Sequence, residues 1–323
     1  MKIQFCKRCV ISNQRPVACD EINRKPGDEP ETMAFDAEGV CMACRVAERR
    51  AKTDWAAKDA EWRERVSVMM ARGDTRVVCP GSGGKDSVYA AHQLRNMGLR
   101  PMLVTWRPYE YTDVGWRNYQ AWIKGFDVLP VPPREEGPYR EQTRQDFLTM
   151  LHPFRQFIIG QRSIGPAMAK QHGIALVAYG EDDDAYEGKA GWQEKEVGTI
   201  ALGNYMPWQP QACYYFATQH GFEANPERTE GTYSRYNSID DKCDPLHYYT
   251  MWIKWGVGRA SHDASQEIRN GHLTREEGVA LVRKYDGELR ESTVKWFCGY
   301  TGLSETGFFE TIDRYRKARP WLW

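Results

Sequence analysis

Residues 76–97 read RVVCPGSGGKDSVYAAHQLRNM. Arg76–Pro80 is a short buried-strand pattern, and the glycine-rich stretch after it is a loop. Val88, Ala91, Leu94 and Met97 then recur at helical spacing until Gly98 stops the run. Strand, glycine loop and helix follow one another without a gap, and the same alternation continues downstream. PMLVTW (101–106) reads as a strand, 113–125 as a helix and 126–131 as a strand. Helical patterns cover 139–151 and 159–172, and IALVAYG (174–180) reads as a fourth strand. Strands separated by long helices predict a parallel sheet with right-handed crossovers, and near-continuous apolar strands predict cover on both faces. The fold class expected is therefore α/β. In such sheets ligands sit at the carboxyl ends of strands, which points to the loops after Pro80 and after Tyr179.

The first of these loops is Gly81-Ser82-Gly83-Gly84-Lys85-Asp86-Ser87. Glycines let backbone N–H groups converge on an anion. A helix N-terminus adds unpaired donors and a positive dipole, and Ser hydroxyls and Lys85 add more. A plain glycine turn joining strand to helix is the alternative. The loop is not a Walker A motif, because Asp86 stands where that motif has Ser or Thr, and it is not the G-x-G-x-x-G dinucleotide spelling. SGGKDS resembles the signature of the PP-loop ATP pyrophosphatases. The resemblance implies that Ser82, Gly83, Gly84, Lys85, Asp86 and Ser87 hold the β,γ-pyrophosphate of ATP, with Lys85 and Asp86 catalytic. It also implies Mg²⁺ across the phosphates and an acceptor oxygen that attacks the α-phosphorus.

Cys6-x-x-Cys9 and Cys41-x-x-Cys44 supply four thiolates in two knuckles, enough for a closed tetrahedral Zn²⁺ site. The gap between Cys9 and Cys41 is longer than in a usual zinc ribbon, and Cys19 within it is a competing ligand. With no open position such a zinc is structural, standing in for the core that a loop-rich segment cannot build. Cys79, Cys213, Cys243 and Cys298 are solitary and read as small buried residues.

Composition narrows the function classes. The 323 residues carry 44 basic and 44 acidic side chains, and no basic stripe emerges, which argues against a protein held on nucleic acid by phosphate neutralisation. The acid excess is confined to residues 151–240, with 11 acidic and 7 basic side chains. Neither a signal-peptide pattern nor a long uncharged apolar run is present, so the expectation is a cytoplasmic protein without a membrane partner. Four stretches differ in texture. Residues 1–47 form a zinc-binding segment and 48–75 a connecting helix. Residues 76–203 form an ATP-binding α/β domain, and 204–323 carry acceptor-site loops and a helical C-terminal region, with a capping box at Thr274-x-x-Glu277.

Several longer stretches carry a more specific resemblance: CKRCVIS, FDAEGVCMAC, LVTWRPYEYTDVGWRNYQAW, HPFRQFIIGQ, YGEDDDAYEG, NPERTEGTYSRYNSIDDK and YYTMWIKWGVGRASHDASQEIRNGHLTREEG. Together with SGGKDS they resemble the N-acetyl sugar amidotransferase family, closest to the branch that makes acetamidino-bearing nonulosonic acids of the pseudaminic type. That resemblance implies conversion of an N-acetyl group on a sugar to an acetamidino group. Ammonia would come free or from a separate HisH-like glutaminase subunit. The chain shows no glutaminase of its own, since position 2 is Lys and no G-x-C-x-G elbow surrounds a cysteine. It departs from the family pattern at Asp182, where members carry Asn, and in the short Lys189–Gly203 connection.

The remaining candidates are second-tier. Glu181, first of the acidic run Glu181–Asp184, is the best placed to hold Mg²⁺ or orient the acceptor; Asp182 joins it, or the run is a solvated loop. Lys254 and Arg259 could reach phosphate or be plain surface charges. Arg228, Glu230 and Tyr233 read as a polar loop at the acceptor site. Trp106 and Trp116 either stack on a sugar or base or belong to the core. His152, His247 and His262 have no metal spacing. Two rival readings remain: a PP-loop tRNA-modifying enzyme of thiolation or lysidine type, and a non-catalytic nucleotide-binding protein.

Overall fold

A computed structural model of the chain describes residues 3–17, 25, 31–181 and 198–318. It is an α/β protein with a five-stranded parallel sheet and a helical C-terminal region. The strands are β1 (Arg76–Pro80), β2 (Arg100–Val104), β3 (Asp127–Val128), β4 (Leu176–Tyr179) and β5 (Gly198–Ala201). They lie in the order β3-β2-β1-β4-β5, with Val78 level with both Met102 and Val177. The order reverses between β1 and β4, and that switch opens a crevice beyond their carboxyl ends.

Helices α1 (Met42–Arg50) and α2 (Trp55–Ala71) precede the sheet. The stretch 48–75 read as one connecting helix is thus interrupted, because Asp54 turns extended and its side chain accepts from the Ala57 N–H to start α2 afresh. Helices α3 (Lys85–Asn96), α4 (Asp113–Ile123), α5 (Glu136–Met150) and α6 (Arg155–His172) lie where the periodicity predicts. Strand β5 and α7 (Pro210–Thr218) fall in a region with no clear period; α7 starts with a proline at its first turn, where the missing N–H costs nothing. The C-terminal helices are α8 (Asp244–Trp255), α9 (Arg259–Arg269), α10 (Arg275–Tyr285), α11 (Glu291–Thr301) and α12 (Glu305–Ala318). The capping box at Thr274 and Glu277 forms as the spelling predicts, with both reciprocal hydrogen bonds present.

The chain divides into two compact units, each discontinuous in sequence. The sheet unit comprises Glu48–Pro132 and Ile159–Ala224. Its core joins Val78, Val104, Leu129, Ile164, Met168, Val177 and Tyr179. Gly165 permits the close approach of helix to sheet, since a Cβ there would meet Pro80 Cγ at 2.8 Å and Val177 Cγ1 at 3.0 Å. The cysteine unit comprises Met1–Ala47, Pro133–Ile158 and Asn225–Trp323. One of its cores is aromatic: Phe147 of α5 meets Phe297 of α11 at 4.9 Å and Phe308 of α12 at 5.1 Å between ring centroids. The other is the cysteine cluster with Ile11, Met33, Val40 and Val257. Among the described residues no helix is long and apolar enough to cross a membrane.

Candidate active site and cysteine cluster

The glycine loop leaves β1 at the switch point and is fixed from several sides. Gly81 N–H donates to the Val104 carbonyl of β2 at 3.0 Å. Ser82 N–H donates to Ser87 Oγ at 3.1 Å, and Gly84 N–H reaches Ser82 Oγ at 3.4 Å. Trp122 Nε1 of α4 donates to the Ser87 carbonyl at 3.0 Å. Gly83 has φ +91°, and a Cβ on it would lie 2.7 Å from the backbone N and Cα of Tyr119. A Cβ on Gly81 would meet Ser87 Oγ at 2.6 Å. Glycine is therefore required here both for conformation and for space. The loop ends at the N-terminus of α3, whose cap residue Gly84 contributes no side-chain bond and whose dipole favours an anion.

Lys85 is only 8% exposed, and its ammonium meets Asp86 Oδ2 at 2.6 Å, so the pair is held side by side at the mouth of the loop. The exit of β4 closes against the same turn. A Cβ on Gly180 would lie 2.7 Å from the Asp86 carbonyl oxygen, which places Glu181 directly after the point of contact. Glu181 is anchored by its own carbonyl, which accepts from Gly203 N–H at 2.9 Å. Gly203 is tied in turn to Arg50 Nη2 at 2.8 Å. Asp182 lies outside the described residues. Cys213 of α7 is a neighbour whose sequence context suggests only a core residue. It is buried, and burial together with the Asp86 carboxylate pushes its thiol up. Cys79 is likewise buried, and burial raises its thiol to about 12.

The other candidates belong to the cysteine unit and are engaged there. Both terminal guanidinium nitrogens of Arg228 donate to Glu288 at 2.6 Å, and Glu288 also accepts from Gly231 N–H at 2.8 Å. Glu230 is 6% exposed; it accepts from Arg290 N–H at 2.5 Å and Thr293 Oγ1 at 2.6 Å. Burial raises its carboxyl above the usual range. Lys254 is 4% exposed, with Nζ 3.4 Å from the Met150 carbonyl and 4.1 Å from the Trp255 ring centroid. Arg259 donates to Tyr248 Oη at 2.6 Å and pairs with Asp263 at 3.0 Å. The Tyr233 hydroxyl is buried with no hydrogen-bond partner among the described residues, and burial with Asp263 nearby raises its ionisation well above normal. Within this unit His152 and His247, far apart in sequence, stack at 5.3 Å, and burial drives the His247 imidazolium down to about 3.

The four knuckle cysteines converge as their spacing implies. Cys6, Cys9, Cys41 and Cys44 are buried, and their Sγ atoms all lie within 4.8 Å of one another. Cys6 and Cys44 sulfurs are 3.9 Å apart, and Cys9 and Cys41 sulfurs 3.6 Å. A tetrahedron with Zn–S bonds of about 2.3 Å has sulfur edges of about 3.8 Å, so the donor set fits zinc. Backbone N–H groups of Arg8, Cys9 and Cys41 point at Cys6 Sγ at 3.3–3.4 Å, which stabilises a thiolate there. The shared hydrogen bonds lower the Cys6 thiol and bring Cys9 to about 7, while Cys41 and Cys44 are held up by the same neighbours. Arg275, the first residue of α10, donates Nε to the Cys6 and Cys9 carbonyls at 3.2 Å and ties the knuckle to the C-terminal helices. Cys19 lies outside the described residues.

Residues 230–322 match the family model described as LPS biosynthesis protein WbpG-like, C-terminal domain. None of the curated proteins matches the chain. Among solved structures, one described as a "predicted subunit of tRNA methyltransferase" from Methanocaldococcus jannaschii is similar at 18% identity and a TM-score of 0.34. That similarity covers 48% of this chain and 79% of the other.

Proposed function

We propose that the chain is an ATP-dependent, AMP-forming amidotransferase that converts an N-acetyl group of a sugar to an acetamidino group. The observation that carries this reading is the Gly81–Ser87 loop at the sheet's switch point, with Gly180, the residue before Glu181, packed against the Asp86 backbone. The WbpG-like match supports a role in lipopolysaccharide-related sugar biosynthesis, and the resemblance to N-acetyl sugar amidotransferases supports the reaction. The tRNA-modifying alternative is not favoured beside that match.

The chemistry follows from the leaving-group problem. An amide oxygen leaves poorly until it is phosphorylated or adenylated. The acetamido oxygen attacks the α-phosphorus of ATP, and pyrophosphate departs into the glycine loop. Backbone donors, the α3 N-terminus and Lys85 stabilise the charge developing there. Mg²⁺, for which Asp86 and Glu181 offer hard oxygen donors, would offset further charge on the phosphates. Ammonia then adds to the activated carbon and AMP leaves with the former amide oxygen, giving the amidine. Glu181 orients the acceptor and accepts a proton from the incoming ammonia. The ammonia is free or delivered by a separate glutaminase, and the enzyme works in the cytoplasm on a small-molecule sugar, a nonulosonic acid of pseudaminic type in the finest reading.

The test supplies ATP, Mg²⁺, ammonium and a panel of nucleotide-linked and free acetamido sugars. Pyrophosphate and AMP are expected in equal amounts, with a product about one mass unit lighter, as NH replaces O. ADP formation, or pyrophosphate release that depends on tRNA, would overturn the reading.

A further inference from the structure

The sheet unit carries an exposed aromatic group that the amidotransferase reaction leaves without a task. Thr112 caps α4 through its side chain, so Tyr111 just before the cap folds back onto Trp116 one turn into the helix. Tyr119 follows one turn further. The three ring centroids lie 5.3–5.6 Å apart, and the Trp116 and Tyr119 planes are within 23° of parallel. Trp116 is 45% exposed. A staple contact alone calls for one apolar side chain, whereas here the exposed indole is backed by Tyr119, with Tyr111 tilted 58° against it. Trp106, the other candidate platform in the sequence, is half-buried instead: it packs against the Val78–Val177 cluster and lies where a Cβ on Gly160 would sit.

Two further observations say what the platform takes. It is built on the helix that flanks the phosphate loop, with Tyr119 backbone filling the space a Cβ on Gly83 would need. Its surroundings are polar and slightly acidic. Asp113, Arg117 and Gln120 are exposed around Trp116, and Arg117 pairs with Glu223 at 2.9 Å. Asn118 locks Glu223 in place through both of its backbone groups, at 2.9 and 2.8 Å. Two carboxylates against one guanidinium disfavour a polyanionic phosphate at this spot, whereas hydroxyl groups find both donors and acceptors.

We infer that Tyr111, Trp116 and Tyr119 form the carbohydrate subsite, on which the apolar C–H face of the acceptor's sugar ring stacks while its hydroxyls meet Asp113, Gln120 and the Arg117–Glu223 pair. This rests on the proposed function only in taking the acceptor to be a sugar.

Binding is measured on the full chain without ATP, by tryptophan fluorescence and calorimetry. The probes are N-acetylglucosamine, N-acetylgalactosamine, N-acetylneuraminic acid and UDP-N-acetylglucosamine; UDP and a non-hydrolysable ATP analogue are titrated separately. Trp116→Ala is expected to weaken sugar binding about tenfold and Trp116→Phe about threefold or less, with ATP-analogue affinity unchanged. Unchanged sugar affinity in Trp116→Ala overturns the inference. So does an equal loss for UDP or the ATP analogue, which would mark a nucleobase platform, a change in self-association alone, or a wild type that binds none of the sugars. Because these titrations involve no turnover, a wild type that binds sugar through Trp116 yet forms no AMP overturns the reaction and leaves the subsite standing.

Discussion

Gly83 carries two separable constraints. Its φ of +91° costs an L-residue about 1–2 kcal/mol, and the clash with Tyr119 backbone adds about 1–3 kcal/mol of overpacking. Gly125 has a similar φ of +79° with nothing within 4 Å of its would-be Cβ, so it bears the first cost alone. Gly83→Ala is therefore expected to lose about 2–5 kcal/mol in urea denaturation and nearly all AMP formation. Gly125→Ala should lose about 1 kcal/mol and keep its activity. Equal losses at the two sites would show that the Tyr119 contact does not matter. The loop is legible in the sequence because its chemistry is local: glycines, a lysine and a helix start within seven residues. The two tryptophans are not. Trp106 is half-buried against Gly160 and Trp116 is open one turn after the Thr112 cap, and neither neighbour declares itself by periodicity.

At the scale of elements, two of the C-terminal helices without a cap of their own are served by carboxylates from elsewhere in the chain. Gly258 and Arg290 make no side-chain cap bond; α9 is capped by Asp286 and α11 by Glu230. Asp286 accepts from Gly258 N–H at 3.1 Å, Ser261 N–H at 3.2 Å and Ser261 Oγ at 2.5 Å. A search for Ser, Thr or Asp just ahead of an apolar run finds the start of α10 and misses these two, whose caps are borrowed from distant residues. Burial outweighs the donors at Asp286 and raises its carboxyl from 3.8 to about 6. The folded chain thus binds this proton more tightly than the unfolded chain. The stability this adds is fully present below about pH 4, falls by roughly 1.4 kcal/mol for each pH unit up to about 6, and is level above that. Measured by urea midpoints, the wild type should lose stability across that window relative to Asp286→Asn. Parallel pH profiles would show that the proton is not held there.

Over the whole molecule, four strands of the parallel sheet are readable from short apolar runs and the helices between them from their period, whereas β5 and α7 carry no such signal. The partition into units is not, since the chain passes back and forth between them and no composition shift marks the returns at Pro133 and Asn225. The cysteine knuckle in particular shares a core with Val257 and Ile268 rather than standing as a separate module. We expect native protein to contain about one zinc per chain. Its removal should raise hydrogen exchange in the knuckle and across Val257–Tyr285, while β1 and β4 stay protected. A metal-free native protein, or a uniform rise in exchange, would contradict that division.

The tie between Arg275 and the Cys6 and Cys9 carbonyls spans 269 and 266 residues. At a synthesis rate of about 5–20 residues per second, the knuckle emerges roughly 15–50 s before the helix that holds it exists. For that interval its thiols lack the part of their apolar cover that Val257 and Ile268 supply, and are more open to oxidation or to a passing metal. The knuckle is thus completed only once a helix synthesised at least 266 residues later has formed. Metal supply and redox conditions during translation, rather than afterwards, should then govern how much correctly folded protein a cell obtains.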